Sequence, residues 1–131
     1  MEEARKKILV IEDDKTVHIL LKMVFEKAGY QVFAALDAMQ GLMMARQVKP
    51  DLIVLDIMMP AGGGVSVYEN LQRMSGSFQV PFLIYSSMDR SDILKKIKEG
   101  PSVLILSKSA KIEQLLEAAA RLLAGWSPEP A

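Results

Sequence analysis

The stretch Pro50-Asp51-Leu52-Ile53-Val54-Leu55-Asp56-Ile57-Met58-Met59-Pro60 is a short apolar run that ends in a carboxylate and is stopped by proline. A run this short and this rich in Leu, Ile and Val reads as a strand covered on both faces, which implies a parallel sheet between two layers of helices. Carboxylates are seldom buried without a partner. Asp56 should therefore face a crevice, and in open α/β sheets crevices form at the carboxyl ends of the strands.

The elements around this strand repeat the same plan. Ile8–Ile11 is a first strand that ends in Glu12-Asp13-Asp14. Val17, Leu20, Leu21, Val24 and Phe25 then recur at helical spacing from Lys15 to Ala28, with Gly29 as the stop. Tyr30–Leu36 is a second strand, Asp37 an N-cap, and Ala38–Val48 a second helix that closes ahead of Pro50. After Pro60, Ala61-Gly62-Gly63-Gly64 reads as a flexible loop before a third helix, Val65–Met74, and Ser75-Gly76-Ser77 as a turn.

Pro81–Tyr85 is the fourth strand, followed at once by Ser86-Ser87, and Ser91–Glu99 the fourth helix, broken by Gly100-Pro101. Val103–Leu106 is the fifth strand, with Ser107-Lys108 behind it. The last helix, Lys111–Ala124, should bury Ile112, Leu115, Leu116, Ala119, Leu122 and Leu123. Residues 125–131 read as a tail or the start of a linker, which makes 6–124 the domain.

Strands alternating with helices give an α/β, flavodoxin-like, doubly wound parallel sheet of five strands, with right-handed crossovers placing helices on both faces. In the order 2-1-3-4-5 the topological switch falls between strands one and three. Glu12, Asp13, Asp56, Ser86 and Lys108 then share one edge of the sheet, with the three acids at the switch itself.

Composition narrows the chemistry. The 131 residues suffice for one domain with a sizeable core, and half of them are hydrophobic. Sixteen basic residues balance sixteen acidic ones, which gives no global signal for nucleic acid or a membrane surface. Without cysteine there is no disulfide framework, thiolate metal site or cysteine nucleophile. Arg5-Lys6-Lys7 precedes only four clearly apolar residues, too few for a signal peptide or membrane span, so a cytoplasmic location is expected.

Three carboxylates at one edge repel each other, and a hard divalent cation with oxygen ligands is the simplest way to hold them at neutral pH. Mg²⁺ fits best, because it takes one or two protein carboxylates plus a phosphate oxygen and leaves a carboxylate free as nucleophile. Asp56 is that nucleophile, and its attack on a phosphoryl group would give an acyl phosphate. Lys108 supplies a compact positive charge for a phosphate oxygen, and Ser86 a rotatable hydroxyl.

Taken in order, Glu12-Asp13, Leu55-Asp56-Ile57-Met58-Met59-Pro60, Ser86 and Lys108 resemble the receiver domains of two-component response regulators, over nearly all of Lys6 to Ala124. The resemblance implies phosphotransfer to Asp56 from a sensor histidine kinase or phosphotransfer protein. It also implies Mg²⁺ held by Glu12, Asp13, Asp56 and the Met58 backbone carbonyl, and a switch read through Ser86. Such a chain is a phosphoacceptor rather than a turnover enzyme, although it assists its own phosphotransfer and autodephosphorylation. Its output partner is open, direct nucleic-acid or membrane contact is not expected, and it would be a monomer or a phosphorylation-linked dimer.

Three features depart from the family pattern. Ser109 follows Lys108 where the family has a proline with a cis peptide, so either a trans bond in a reshaped loop or visible strain is expected. Ile105 stands at the usual switch aromatic, and the Gly62-Gly63-Gly64 loop lacks the family's common Asp. Met58 and Met88 sit two residues beyond Asp56 and Ser86, positions that in this family flank the path of the hydrolytic water. Apolar side chains there predict slow autodephosphorylation.

Other polar residues read more blandly. Asp14 is expected to cap the first helix rather than bind a cation. His18, with no second ligand, is expected on the surface, within reach of a docking partner. Arg90, Lys95, Lys96 and Lys98 read as a solvated face, and Met39, Met43 and Met44 as core filling. The competing function is a receiver-like interaction module that works without phosphorylation. A haloacid-dehalogenase-type phosphatase is disfavoured because Asp56 has Met58 where that family needs a second Asp, and a flavin site because acids replace a glycine-rich phosphate loop.

Overall fold

A computed structural model describes residues 5–59, 63–73 and 80–125. The elements follow in strict alternation: β1 Lys7–Ile11, α1 Lys15–Lys27, β2 Gln31–Ala35, α2 Ala38–Val48, β3 Leu52–Leu55, α3 Gly63–Arg73, β4 Phe82–Ser86, α4 Arg90–Leu94, β5 Val103–Ser107 and α5 Ile112–Gly125. All strand pairs are parallel, in the order β2-β1-β3-β4-β5. The expected doubly wound topology is the observed one.

Side-chain alternation divides the strands between two cores. Leu9, Ile11, Ile53, Leu55, Phe82 and Ile84 pack with Ala45 of α2, Val67 and Leu71 of α3, and Ile93 and Ile97 of the α4 segment. Ile8, Val10, Leu52, Val54, Leu83 and Tyr85 pack on the other face with Leu21 and Phe25 of α1 and Leu115, Ala119 and Leu122 of α5. Every residue of β3 is buried, as its apolar run requires. Fully burying one such Leu or Ile contributes about 1.5–3 kcal/mol. A helix cap contributes about 1 kcal/mol. The central strands therefore dominate the stability, and the caps place the helix ends.

Those caps fall where the sequence puts them. Asp14 accepts the Thr16 amide at 2.8 Å, and Asp37 accepts the Gln40 amide at 2.8 Å. Gly29, at φ +100°, occupies the left-handed position just past α1. Among the described residues no helix is long and apolar enough to cross a membrane.

Four expectations are corrected. The glycine run is not all loop, because Gly63 and Gly64 are buried in the first turn of α3; Ala61, Gly62, Met74 and the Ser75-Gly76-Ser77 turn lie outside the described residues. The fourth helix is five residues long rather than nine. Beyond it the chain tightens to i→i−3 bonding, Lys95 to Asp92 and Lys96 to Ile93, so that Ile97 can join Ile93 in the core. Met39, Met43 and Ile112 are exposed, and of the expected core-filling methionines only Met44 packs against the core. His18 is buried. It completes an inward spacing of i, i+3, i+7 with Leu21 and Phe25.

The chain after α4 is tied down by Glu99. Its carboxylate accepts the backbone N–H of Ile105 at 2.8 Å and pairs with both terminal nitrogens of Arg90. The Arg90 guanidinium holds the Glu99 carboxyl below the usual carboxylate range, against the opposing effect of burial. This group therefore stabilises the fold fully above its unfolded value of about 4.3, and the contribution is lost as pH falls through the lower folded value. Glu99→Ala, which strands the Ile105 amide, is expected to lose about 1–3 kcal/mol. Glu99→Gln, which can still accept that bond, should lose less, and its difference from wild type in thermal midpoint should close as pH falls from 7 to 3. A gap that stayed constant would refute the role given to the charge.

Candidate functional site

Register alone brings the site's first two residues together. Ile11 pairs with Leu55, so Glu12 and Asp56 leave adjacent strands at the same level. Their backbones are fixed there, with the Glu12 N–H bonded to the Ala35 carbonyl at 3.0 Å and the Asp56 N–H to the Ile11 carbonyl at 3.1 Å. Both carboxylates are buried, at 2% and 4% exposure, while Asp13 stays exposed beside them. One oxygen from each of Glu12, Asp13 and Asp56 can be chosen so that all lie within 4.8 Å of one another.

Lys108 reaches this pair from beyond β5. Its ammonium lies 2.6 Å from Glu12 Oε1 and 3.1 Å from Asp56 Oδ2, so one cation bridges two buried acids. The loop carrying it is held to β4, where the Lys108 N–H donates to the Ser86 carbonyl at 3.0 Å. Ser86 itself is fully buried, and its hydroxyl oxygen accepts the Met88 N–H at 3.2 Å. The equivalent bond at the acid runs from the Met58 N–H to Asp56 Oδ1 at 3.0 Å. Thus Glu12, Asp13, Asp56 and Lys108 form one cluster, Met58 is tied to it through its backbone, and Ser86 is coupled to it through Lys108.

The charges are unequal in cost. Burial pushes the Glu12 carboxyl up to about 7, the Asp56 charge adds to the rise, and the Lys108 hydrogen bond only partly offsets it. For Lys108 burial favours the neutral amine, but the hydrogen bonds and charges of Glu12 and Asp56 outweigh it and raise its pKa above the ordinary value. One ammonium therefore leaves the acids undercompensated. The oxygen-only donor set, the spacing and a cation already seated between two of the acids all fit a small, hard divalent ion.

The departures from the family pattern also resolve. The described residues contain no cis peptide bond, so the Lys108–Ser109 link is trans. The loop closes instead on serines, with the Ser109 N–H donating to Ser107 Oγ at 3.1 Å. Ile105 packs its side chain against the α2, α3 and α4 core. Met58 is mostly exposed, whereas Met88 packs on that core.

Gly64 is the site residue that sequence reasoning missed. A β-carbon there would lie 2.4 Å from the Asp56 carbonyl oxygen and 2.5 Å from the Ile57 α-carbon. The start of α3 thus lies directly against the backbone that carries Asp56. A glycine eight residues beyond a strand-ending acid, opening a helix, was the available signal.

A doubly wound sheet with acids at its switch point and a hydroxyl and a lysine on the neighbouring strand ends defines a class of α/β signalling domain. The chain belongs to the response regulator receiver domain family, which matches residues 8–120. It is 28% identical over 118 residues to sporulation initiation phosphotransferase F of Bacillus subtilis, covering 90% of this chain and 94% of that one. It is 32% identical over 118 residues to the DNA-binding dual master transcriptional regulator RpaA of Synechocystis, covering 89% of this chain but 48% of the regulator. The chemotaxis protein CheY4 of Vibrio cholerae superposes with a TM-score of 0.82 at 24% identity, over 92% of this chain and 100% of that one.

Gly64→Ala tests the close approach. Overpacking against backbone should cost about 1–3 kcal/mol, seen as a lower denaturation midpoint, whereas Gly125→Ala, which has open space around it, should change stability little. Equal effects would refute the contact.

Proposed function

We propose that this receiver is a phosphoacceptor of a two-component system, acting in the cytoplasm, with Asp56 phosphorylated by a sensor histidine kinase or a phosphotransfer protein. The observation that carries the reading is the Lys108 ammonium set between the buried carboxylates of Glu12 and Asp56. The unit that does this is the expected 6–124 domain with its last helix extended to Gly125, and residues 126–131 are a tail or the start of a linker. Its output partner, and any phosphorylation-linked dimer, lie downstream of that step.

The chain's own residues support the chemistry. Each Asp56 oxygen accepts one hydrogen bond, from Met58 N–H or from Lys108, which orients the carboxylate and leaves lone pairs for attack. An oxygen of Asp56 attacks the phosphorus of a phosphorylated imidazole. The O–P bond forms as the P–N bond breaks, and the electron pair returns to the ring nitrogen of the donor. Lys108 then holds one phosphoryl oxygen as a point charge, and the Ser86 hydroxyl, whose oxygen already accepts from Met88, has its hydrogen free for another. Mg²⁺, held by Glu12, Asp13, Asp56 and the Met58 backbone carbonyl, would offset charge on the transferring oxygens.

Intact mass after incubation with acetyl phosphate tests this. Wild type with Mg²⁺ should gain one phosphoryl group, and should not do so with chelator or as Asp56→Asn. A folded wild type that gains nothing from acetyl phosphate or from a phosphorylated histidine donor would leave the phosphorylation-independent interaction module as the better reading. The lifetime of the product is a separate test. With apolar residues at positions 58 and 88, two beyond Asp56 and Ser86, the acyl phosphate should persist for minutes or longer once the donor is removed, and decay within seconds would overturn that expectation.

A further inference from the structure

We infer that His18 is a positioning residue for the acidic cluster, holding the peptide of Glu12 so that its carboxylate meets Asp56; this rests on the phosphoacceptor reading above. His18 sits one turn into α1, its own N–H bonded to the Asp14 carbonyl at 3.2 Å, and its side chain is 9% exposed. Its Nε2 lies 2.6 Å from the Glu12 carbonyl oxygen and 3.1 Å from the Ala35 carbonyl oxygen. Carbonyl oxygens only accept, so Nε2 carries the hydrogen and donates to both. The other ring nitrogen, Nδ1, is buried without a hydrogen-bond partner among the described residues.

That arrangement is unusual for a core histidine. A side chain needed only to fill space would be apolar here, as Leu21 and Phe25 are on the same face, since an unpartnered buried nitrogen carries a desolvation cost. The cost is offset by what Nε2 does. Glu12 is fixed at both ends, its N–H on the Ala35 carbonyl at 3.0 Å and its carbonyl under the imidazole. With the peptide groups on both sides held, the Glu12 backbone angles are set, and so is the direction in which its side chain leaves the strand. The carboxylate then reaches Lys108 with one oxygen, while the other accepts the Asp14 N–H at 3.2 Å. A single imidazole thus ties α1 and the ends of β1 and β2 to the Glu12 peptide.

The test is the affinity of the folded protein for Mg²⁺ alone, followed by the amide NMR shifts of Ile11 and Asp13, in wild type and in His18→Leu and His18→Gln. Outer partners that orient metal ligands typically contribute ~10–100-fold in metal affinity, and we expect His18→Leu to weaken binding by about tenfold, at the low end of that range. Glutamine carries a donor nitrogen the same number of bonds from Cβ as Nε2, so His18→Gln should recover most of the loss. A Leu variant that binds Mg²⁺ like wild type while melting earlier would overturn the inference and make His18 a packing residue. If the Leu variant does not fold, His18→Gln against His18→Asn, whose amide cannot reach both carbonyls, decides on the same scale, and equal affinities overturn it. A wild type that binds no Mg²⁺ overturns the metal-assisted reading and this inference together, whereas wild-type binding with unchanged variants overturns this inference alone.

Discussion

Two carboxylates buried side by side, with one ammonium to share, set the terms for everything at the carboxyl edge of this sheet. Glu12 and Asp56 are adjacent because β1 and β3 are adjacent and in register, and they are buried because those are central strands. Burial and mutual repulsion favour protonating at least one of them unless a cation is within reach. Lys108 meets that need from the far side of β4, at the end of a loop that must be placed to within the reach of one side chain. The parallel order of the strands, the bond from Lys108 to the Ser86 carbonyl and the serine-closed turn behind it all serve that reach.

The topology follows from periodicity. Runs such as Leu52–Leu55, apolar on both faces, need cover on both sides of the sheet, and five strand-like runs separated by amphipathic stretches leave little but a doubly wound sheet. The placement of Glu12, Asp13, Asp56, Ser86 and Lys108 at one edge was legible for the same reason, since each lies at or just beyond the carboxyl end of a strand and the strands are parallel. What periodicity misses is polar or small residues that serve the interior. His18 has the spacing of a core position with Leu21 and Phe25, but its polarity argued for solvent, because the two carbonyls that receive it belong to β1 and β2 and are distant in sequence. Gly63 and Gly64 look like a flexible loop for a similar reason, since glycine signals freedom locally and close contact only in three dimensions. The shortened α4 reflects Ile97 and Glu99, whose partners lie in the core and on β5.

The two faces of the sheet are unequal. On one side α1 and α5 lie against β1, β3 and β4, and α1 also supplies His18 to the site. On the other, α3 abuts the Asp56 backbone, and the segment after α4 is fastened to β5 by Glu99 at Ile105, which stands where the sequence comparison expects an aromatic. A polar tie from a carboxylate to the main chain thus lies behind an aliphatic residue at that position. Close to the acids the ties are made by backbone groups: the Met58 N–H on Asp56, the Met88 N–H on the Ser86 hydroxyl and the Lys108 N–H on the Ser86 carbonyl.

The contact between Gly64 and the Asp56 carbonyl bears on how this sequence can drift. A residue with no side chain and no chemical role occupies a space that no other amino acid can enter without moving the backbone of the acid itself. Neutral substitution should be as rare there as at the acid, while the exposed methionines on α2 are free to vary. Among descendants of this chain, the absence of a side chain at that helix start would be inherited along with the carboxylate, and loss of one would relax the constraint on the other.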